Sequence, residues 1–267
     1  METWILENSN YIRLSIFLGI FFIFGILELI IPDHKPFVSR KERWVSNIIL
    51  VGLNNLILKI VLPFTSLMVA DYVSKNQIGL FNLISIPYIL KVVFAIILLD
   101  LIIYFQHVVF HKVPIFWKLH RMHHADLELD VTSGTRFHPI EIILSMLIKF
   151  ASIYILGPSP LAVLLFEIIL NGMAMFNHSN IKIYEPLEKF LGYLVITPSI
   201  HRIHHSIHHD ELNTNFGFNL SIWDRLFNTL KLTYRDKLIL GLKNFREIKY
   251  SYLWNLVLMP FIEDKKK

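Results

Sequence analysis

Apolar positions in this chain do not alternate with polar ones over most of its length but run on continuously. Five stretches, Tyr11 to Ile31, Ile48 to Ala70, Ile86 to Phe105, Ile140 to Leu156 and Leu161 to Phe176, consist almost wholly of Ile, Leu, Val, Phe and other apolar residues. A helix needs about 20 such residues to cross the hydrocarbon core of a bilayer. The first three stretches are therefore predicted to span. The last two are shorter, and Gly157-Pro158-Ser159-Pro160 between them breaks any helix. They are predicted to form a hairpin (140–176) that either crosses at a tilt or dips in and returns. The predicted fold class is all-α: a membrane helical bundle of about four spans, with a histidine-rich helical cap over 107–138 and 178–230, all in one domain.

Composition agrees with a membrane bundle. Hydrophobic residues make up 54% of the 267 and charged residues 18%, with a mean hydropathy of +0.50. That is more apolar side chain than one interior of this size needs, so the surplus faces lipid. Residues Met1 to Asn10 contain Glu2 and Glu7, and no small-residue cleavage site follows. A cleaved signal peptide is therefore not expected. The segment Pro32 to Trp44 holds Lys35, Arg40, Lys41 and Arg43, whereas Asp71 to Ser85 holds only Lys75. The positive-inside rule makes the first of these cytoplasmic. The third span then runs inward and delivers His107 and everything after it to the cytoplasmic face. The net charge of +5 resides in loops and in the tail Lys265 to Lys267, which suits an anionic membrane surface better than nucleic acid.

There is no cysteine, which removes disulfides, Fe–S clusters, thiolate zinc sites and a cysteine nucleophile together. The chemistry must lie with the thirteen histidines. Asp100, Tyr104, His107 and His111 form one stripe at the end of the third span, with the two imidazoles one turn apart. Asp100 reads either as the acceptor that fixes a ligand's ring N–H or as an interfacial carboxylate that reaches water. Two HRxHH blocks follow, His120-Arg-Met-His123-His124 and His201-Arg-Ile-His204-His205. Between them stand His138, in RFHPIE, and His178, in FNHSN, both on the same side of the membrane as the blocks. His208 and His209 precede Asp210, Glu211 and Asn213, a hydrated composition that leaves them at most peripheral. His34, beside Pro32 and Lys35, reads as an interface residue.

His107, His111, His120, His123, His124, His178, His201, His204 and His205 are too many imidazoles for one ion, with His138 a further candidate. Two metals are implied, and nitrogen-only ligation suits Fe, Cu, Ni or Zn over Mg or Ca. No HExxH, Glu-x-x-His, G-x-S-x-G, GxxxxGK[ST] or GxGxxG occurs. Zinc-peptidase, carboxylate di-iron, serine hydrolase, NTPase and dinucleotide-binding readings thus lack their motifs. An all-histidine dinuclear site remains, with activation of O₂ toward an unactivated C–H bond as its natural chemistry. Structural zinc is the bland alternative.

The segments Asp100 to His111 (DLIIYFQHVVFH), Trp117 to His124 (WKLHRMHH), Thr132 to Glu141 (TSGTRFHPIE), Asn177 to Asn180 (NHSN) and Thr197 to Leu230 make the chain resemble the fatty acid hydroxylase and sterol desaturase superfamily of membrane di-iron oxygenases. The resemblance implies two iron ions, replaceable by zinc in purified protein, with O₂ as co-substrate. It assigns iron ligation to the nine histidines named first. It also assigns support of the site to Asn215-Phe-Gly217 and Trp223-Asp224-Arg225, with Asn177 beside the ligand His178. Two departures, Asn213 where the family often has an acidic residue and Asn228 where it has Gly, bear on subfamily and not on ligands. The implied reaction is hydroxylation, or alternatively desaturation, of a lipid: fatty acyl, sterol, carotenoid or ether lipid. Electrons are expected from a separate partner, a b5-like protein, a ferredoxin with its reductase, or a reduced pterin. The expected location is a bacterial plasma membrane, or the ER membrane for a eukaryotic chain, with no nucleic-acid partner.

Overall fold

All five apolar stretches form helix, and proline, glycine and polar caps set where each helix ends. The computed structural model describes residues 2–235 and 237–263; the tail Lys265 to Lys267 lies outside the described residues. Helix α1 covers Ser9–Ile30. The single helix expected over Ile48 to Ala70 is instead two, α2 (Arg40–Val61) and α3 (Ser66–Lys75). The cause is Pro63: its ring crowds the preceding residue out of the helical region, and Leu62 is accordingly extended at φ −124°, ψ 91°. Thr65 then restarts the helix by accepting a hydrogen bond from the Met68 amide. Helix α2 also begins eight residues before the apolar run, because Arg43, Ser46 and Asn47 turn inward and are buried.

Helices α4 (Tyr88–Lys112), α5 (Pro114–His124), α6 (Pro139–Leu156) and α7 (Pro160–His178) follow. The last three begin on proline, whose missing N–H costs nothing in a first turn. Gly157 ends α6 in the left-handed region at φ 64°, and a Cβ there would come within 2.2 Å of the Ile78 carbonyl oxygen. The tip of the α6–α7 hairpin therefore packs tightly on the loop ahead of α4, where the Tyr88 hydroxyl meets Ser159 Oγ at 3.2 Å. With 18 and 19 residues at about 1.5 Å each, these helices approach the ~30 Å of a hydrocarbon core. The hairpin runs the length of the bundle. Helix α7 is central, packed by α1, α3 and α4, while the outer helices turn Phe22, Ile26 and Ile60 outward. Among the described residues, five helical segments are long and apolar enough to cross a membrane.

Among the described residues there is no strand, only three isolated β-bridges, Pro32–Ile181, Val195–Leu220 and Ser206–Leu240. Short helices α8 (Glu185–Leu194), α9 (Pro198–His204), α10 (Ile222–Leu226) and α11 (Leu253–Leu258) cover the end of the bundle where α4 finishes and α6 starts.

Beneath this cap lies a buried polar loop, residues 125–136. Arg43 grips both Asp126 oxygens at 2.8 and 2.9 Å and Asp130 at 2.7 Å, while Arg136 lies 3.3 Å from Asp126. Burial alone would raise the Asp126 pKa, but the two guanidinium groups hold it down to about 2. Buried ion pairs contribute little net stability; here they fix the path of the loop. Gly134 lets it lie flat on α7, since a Cβ would be 2.4 Å from the Ala174 carbonyl oxygen.

Candidate metal centre

The last two turns of α4 point His107 and His111 into the cap, and α5 returns His120, His123 and His124 toward them. Helix α7 ends on His178, and α9 supplies His201 and His204, with His205 capping it. The nine imidazoles are buried and fall into two groups: His107, His111, His120, His124 and His204 in one, and His123, His178, His201 and His205 in the other, with one nitrogen per residue within 4.8 Å of the others in its group. The two HRxHH blocks exchange members. The i, i+4 pair of each block faces one group, and its i+3 histidine faces the other. Rings of His124 and His205, one from each group, stack with centroids 4.3 Å apart.

Hydrogen bonds fix the tautomers. Nδ1 of His107 donates to the Phe216 carbonyl at 2.8 Å, of His120 to Glu141 at 2.7 Å, of His204 to the Thr214 carbonyl at 2.6 Å, and of His178 to the Ala174 carbonyl at 2.7 Å. Each acceptor engages the Nδ1 proton of its ring in a hydrogen bond, so in each neutral ring the Nε2 presents a lone pair. Yet His107 Nε2 lies 3.2 Å from His120 Nε2 and 3.0 Å from His204 Nε2. Lone pairs that face one another at such distances cannot be hydrogen-bonded, and a cation between them satisfies them.

The spacing is also metrically suited to a metal. Metal–nitrogen bonds of about 2.1 Å put neighbouring nitrogens about 3.0 Å apart at octahedral angles and about 3.4 Å apart at tetrahedral ones. The Nε2–Nε2 approaches across both groups are 3.0 to 3.2 Å. Both nitrogens of His111, and Nδ1 of His123, His124, His201 and His205, have no hydrogen-bond partner although buried. Burial, reinforced by the neighbouring imidazoles, holds His123, His124, His201 and His205 well below the ordinary imidazole pKa. It takes His204 down to about 3 despite the bond to Thr214. Rings that stay neutral keep the lone pairs a metal requires. The residues present fit two metal ions.

Three sequence expectations need correction. His138 lies outside both groups: its Nδ1 accepts from the Ile140 amide at 3.2 Å, as the N-cap of α6, and its Nε2 donates to the Val257 carbonyl at 3.1 Å. Both nitrogens are already engaged. Asp100 contacts no ligand imidazole; it accepts from the Asn219 and Leu220 amides and from Trp223 Nε1 at 2.8 Å. The carboxylate that bonds one of the clustered imidazoles is Glu141. The sequence signal for it was an acidic residue in the first turn of an otherwise apolar helix, costly there without a partner. His34 is more than an interface residue, since its Nε2 bonds Glu128 at 2.8 Å.

The other supporting residues act through one loop. Asp224 accepts from the Phe216 and Gly217 amides at 2.8 and 2.7 Å and thereby aims the Phe216 carbonyl at His107. Asn215, at φ 52°, bonds the Ile200 and Lys231 carbonyls beside the Thr214 carbonyl that orients His204. Asn177 donates to the Phe218 carbonyl at 2.6 Å, and the Tyr104 hydroxyl meets Thr229 Oγ1, which in turn donates to Asp224. His208 is half-buried and belongs to neither group. Asn228 sits at φ 56°, a region that Asn tolerates better than most residues and that suits the Gly expected there from the family resemblance.

Comparison with known proteins finds relatives over about half of the chain. The chain is 32% identical over 145 residues to the ornithine lipid hydroxylase OlsE of Rhizobium tropici, covering 54% of this chain and 42% of that one. It is 28% identical over 158 residues to human alkylglycerol monooxygenase, covering 56% and 33%. It is 24% identical over 145 residues to human cholesterol 25-hydroxylase, covering 52% and 51%. The chain thus spans about a third to a half of the length of these curated relatives, and no solved structure matches it. The fatty acid hydroxylase family model matches residues 92–229, a range that takes in all nine clustered histidines and the loop that orients them, and by that match the chain belongs to the fatty acid hydroxylase family.

Proposed function

We propose that the chain is an O₂-dependent hydroxylase that inserts oxygen into a C–H bond of a lipid, with its nine clustered histidines holding two iron ions. The observation that carries this reading is the facing of bare Nε2 lone pairs at 3.0 and 3.2 Å about His107. A pair of iron ions bound there supplies the redox chemistry with O₂ that no side chain performs alone. The protein's own contribution is position and exclusion. Glu141 and the carbonyls of Phe216, Thr214 and Ala174 orient four of the rings. Aromatic walls shut out water: Phe137 stacks on His123 at 4.6 Å, and Trp117 lies 5.1 Å from His111. No side chain is assigned as a separate acid or base.

The lipid class follows from the relatives, which act on an ornithine lipid, an alkylglycerol and cholesterol by name. The basic segment around Lys35, Arg40 and Lys41 favours the cytoplasmic face for the histidine cluster. Electrons come from a separate donor. Incubation of the iron-loaded protein with its host's lipid extract, a reductant and ¹⁸O₂ tests the proposal. A lipid product heavier by one ¹⁸O supports it. A dehydrogenated product free of ¹⁸O, or one zinc and no iron after iron-replete expression, overturns it.

A further inference from the structure

Two short helices of the cap carry apolar stripes that the protein does not cover. On α8, Leu187, Phe190 and Leu194, spaced by three and four, are 49, 62 and 56% exposed. On α11 and the turn after it, Trp254, Leu258 and Phe261, spaced by four and three, are 76, 54 and 68% exposed. Each set forms one helical face. Their opposite faces are fixed. Gly192 of α8 lies against Ile200, where a Cβ would be 3.1 Å from the Ile200 Cδ1, and its carbonyl accepts from Arg225 at 2.9 Å. Leu256 of α11 is buried in a core cluster with Leu50 and Met122. The stripes are therefore held outward.

Both stripes continue exposed apolar faces of helices long enough to cross a membrane. The outer side of α4, with Phe105 and Val109 exposed, runs on to Phe227, whose ring lies 5.0 Å from that of Phe105. It continues through the exposed Leu226 and Ile222 of α10, and Arg225 of the same helix ties it to α8 by lying over the Tyr193 ring at 4.8 Å. On the other flank α11 packs against α2, where Val45 and Ile48 are exposed. The flanking residues have interfacial composition, with Tyr184, Tyr193 and Lys189 around one stripe and Tyr252 and Lys249 around the other.

We infer that α8 and the α11 segment lie in the plane of the membrane, seated in the headgroup–acyl boundary of the leaflet on the histidine side, as a two-sided collar around the cup. The collar holds the cup level with the leaflet, so that a lipid chain reaches it sideways from the bilayer and not through water. The collar itself depends on membrane embedding and not on the metal chemistry, so its test separates from that of the hydroxylase reading.

The absence of cysteine permits single labels. Phe190→Cys, Leu187→Cys and Trp254→Cys, with Lys189→Cys as the polar-face control, are spin-labelled in the full chain and reconstituted in phosphatidylcholine–phosphatidylglycerol nanodiscs. Power saturation with O₂ and with a nickel chelate reads depth. The expected result is a depth of about 5–10 Å below the headgroups for the three stripe positions, and water exposure at position 189. Nickel accessibility at the stripes equal to that of the control overturns the inference, as does exclusion of both reagents, which would mark a protein contact.

Discussion

Glu141 offers the most direct test of how the cup is built. Its Oε1 accepts from His120 Nδ1 at 2.7 Å, with the two side chains 5% and 4% exposed. A hydrogen bond to a charged acceptor is worth about 1.5–3 kcal/mol and a neutral one about 0.5–1.5. Glu141→Gln keeps the shape and forfeits the difference, about 1–1.5 kcal/mol, or roughly a tenfold loss in affinity. Glu141→Ala leaves a buried N–H unpartnered, and the loss approaches about a hundredfold, the upper range for removal of a ligand's supporting partner. His120 belongs only to the five-histidine group, so only one of the two ions should loosen. The assay is retention of metal per chain, by mass spectrometry, across a chelator titration of the purified protein. One ion should leave at about tenfold lower chelator in Glu141→Gln while the other follows the wild-type curve. Parallel release of both ions, or a curve identical to wild type, would refute the reasoning.

The remaining predictions bear on the second group and the loop beneath it. His178→Ala removes a ligand only from the four-histidine group, so metal content should fall from two ions per chain to one, read by elemental analysis; retention of both would remove His178 from the site. Gly134→Ala drives a Cβ to 2.4 Å from the Ala174 carbonyl oxygen, so α7 must shift. Thermal unfolding should show a loss of about 1–3 kcal/mol or more, accompanied by weaker metal binding; an unchanged midpoint would mean the contact is slack. His34 has its pKa raised to about 9 by Asp33 and Glu128, so the folded state keeps a proton that the unfolded chain releases near pH 6.5. The stability this proton contributes is complete below about pH 6.5 and lost as pH rises to about 9. Melting temperatures of wild type and His34→Gln should therefore converge over that window, and a constant gap would contradict the pairing.

The apolar helices and the clustered histidines were legible because each rests on a local pattern. Continuous apolar runs and the i, i+4 spacing of His107 and His111, of His120 and His124, and of His201 and His205 need no knowledge of the rest of the chain. The break at Pro63 was legible in principle, but the apolar run continued through it and masked it. What the sequence did not disclose are pairings across long separations. His138 stands in a motif among ligands, and nothing in RFHPIE reveals that the ring turns back to cap α6 and to meet Val257, 119 residues away. Asp100 lies on the ligand stripe, yet its acceptor capacity is taken by the amides of 219 and 220. Arg43, counted in the sequence as a topogenic loop charge, is buried between Asp126 and Asp130. A charge count cannot separate a cation that faces headgroups from one that organises the floor of a site.

The arginine of each HRxHH block explains why the repeat has this form. Within a helix the residue after a histidine points about 100° away from it, so when the histidines face inward the arginine must leave the cup. Arg121 donates to the Met259 and Ile262 carbonyls and lies 5.1 Å over the Phe245 ring. Arg202 pairs with Asp33 and donates to the Ser179 carbonyl. One block is thereby fastened to the C-terminal segment and the other to the α1–α2 connection and the end of α7, all parts of the chain remote in sequence. Anchoring from outside is what allows imidazoles with facing lone pairs to stay within 3.0 to 3.2 Å of one another, an arrangement the rings would otherwise relax by turning apart. A metal bound there would offset the cost of that crowding, and its binding free energy would then add directly to the stability of the cap.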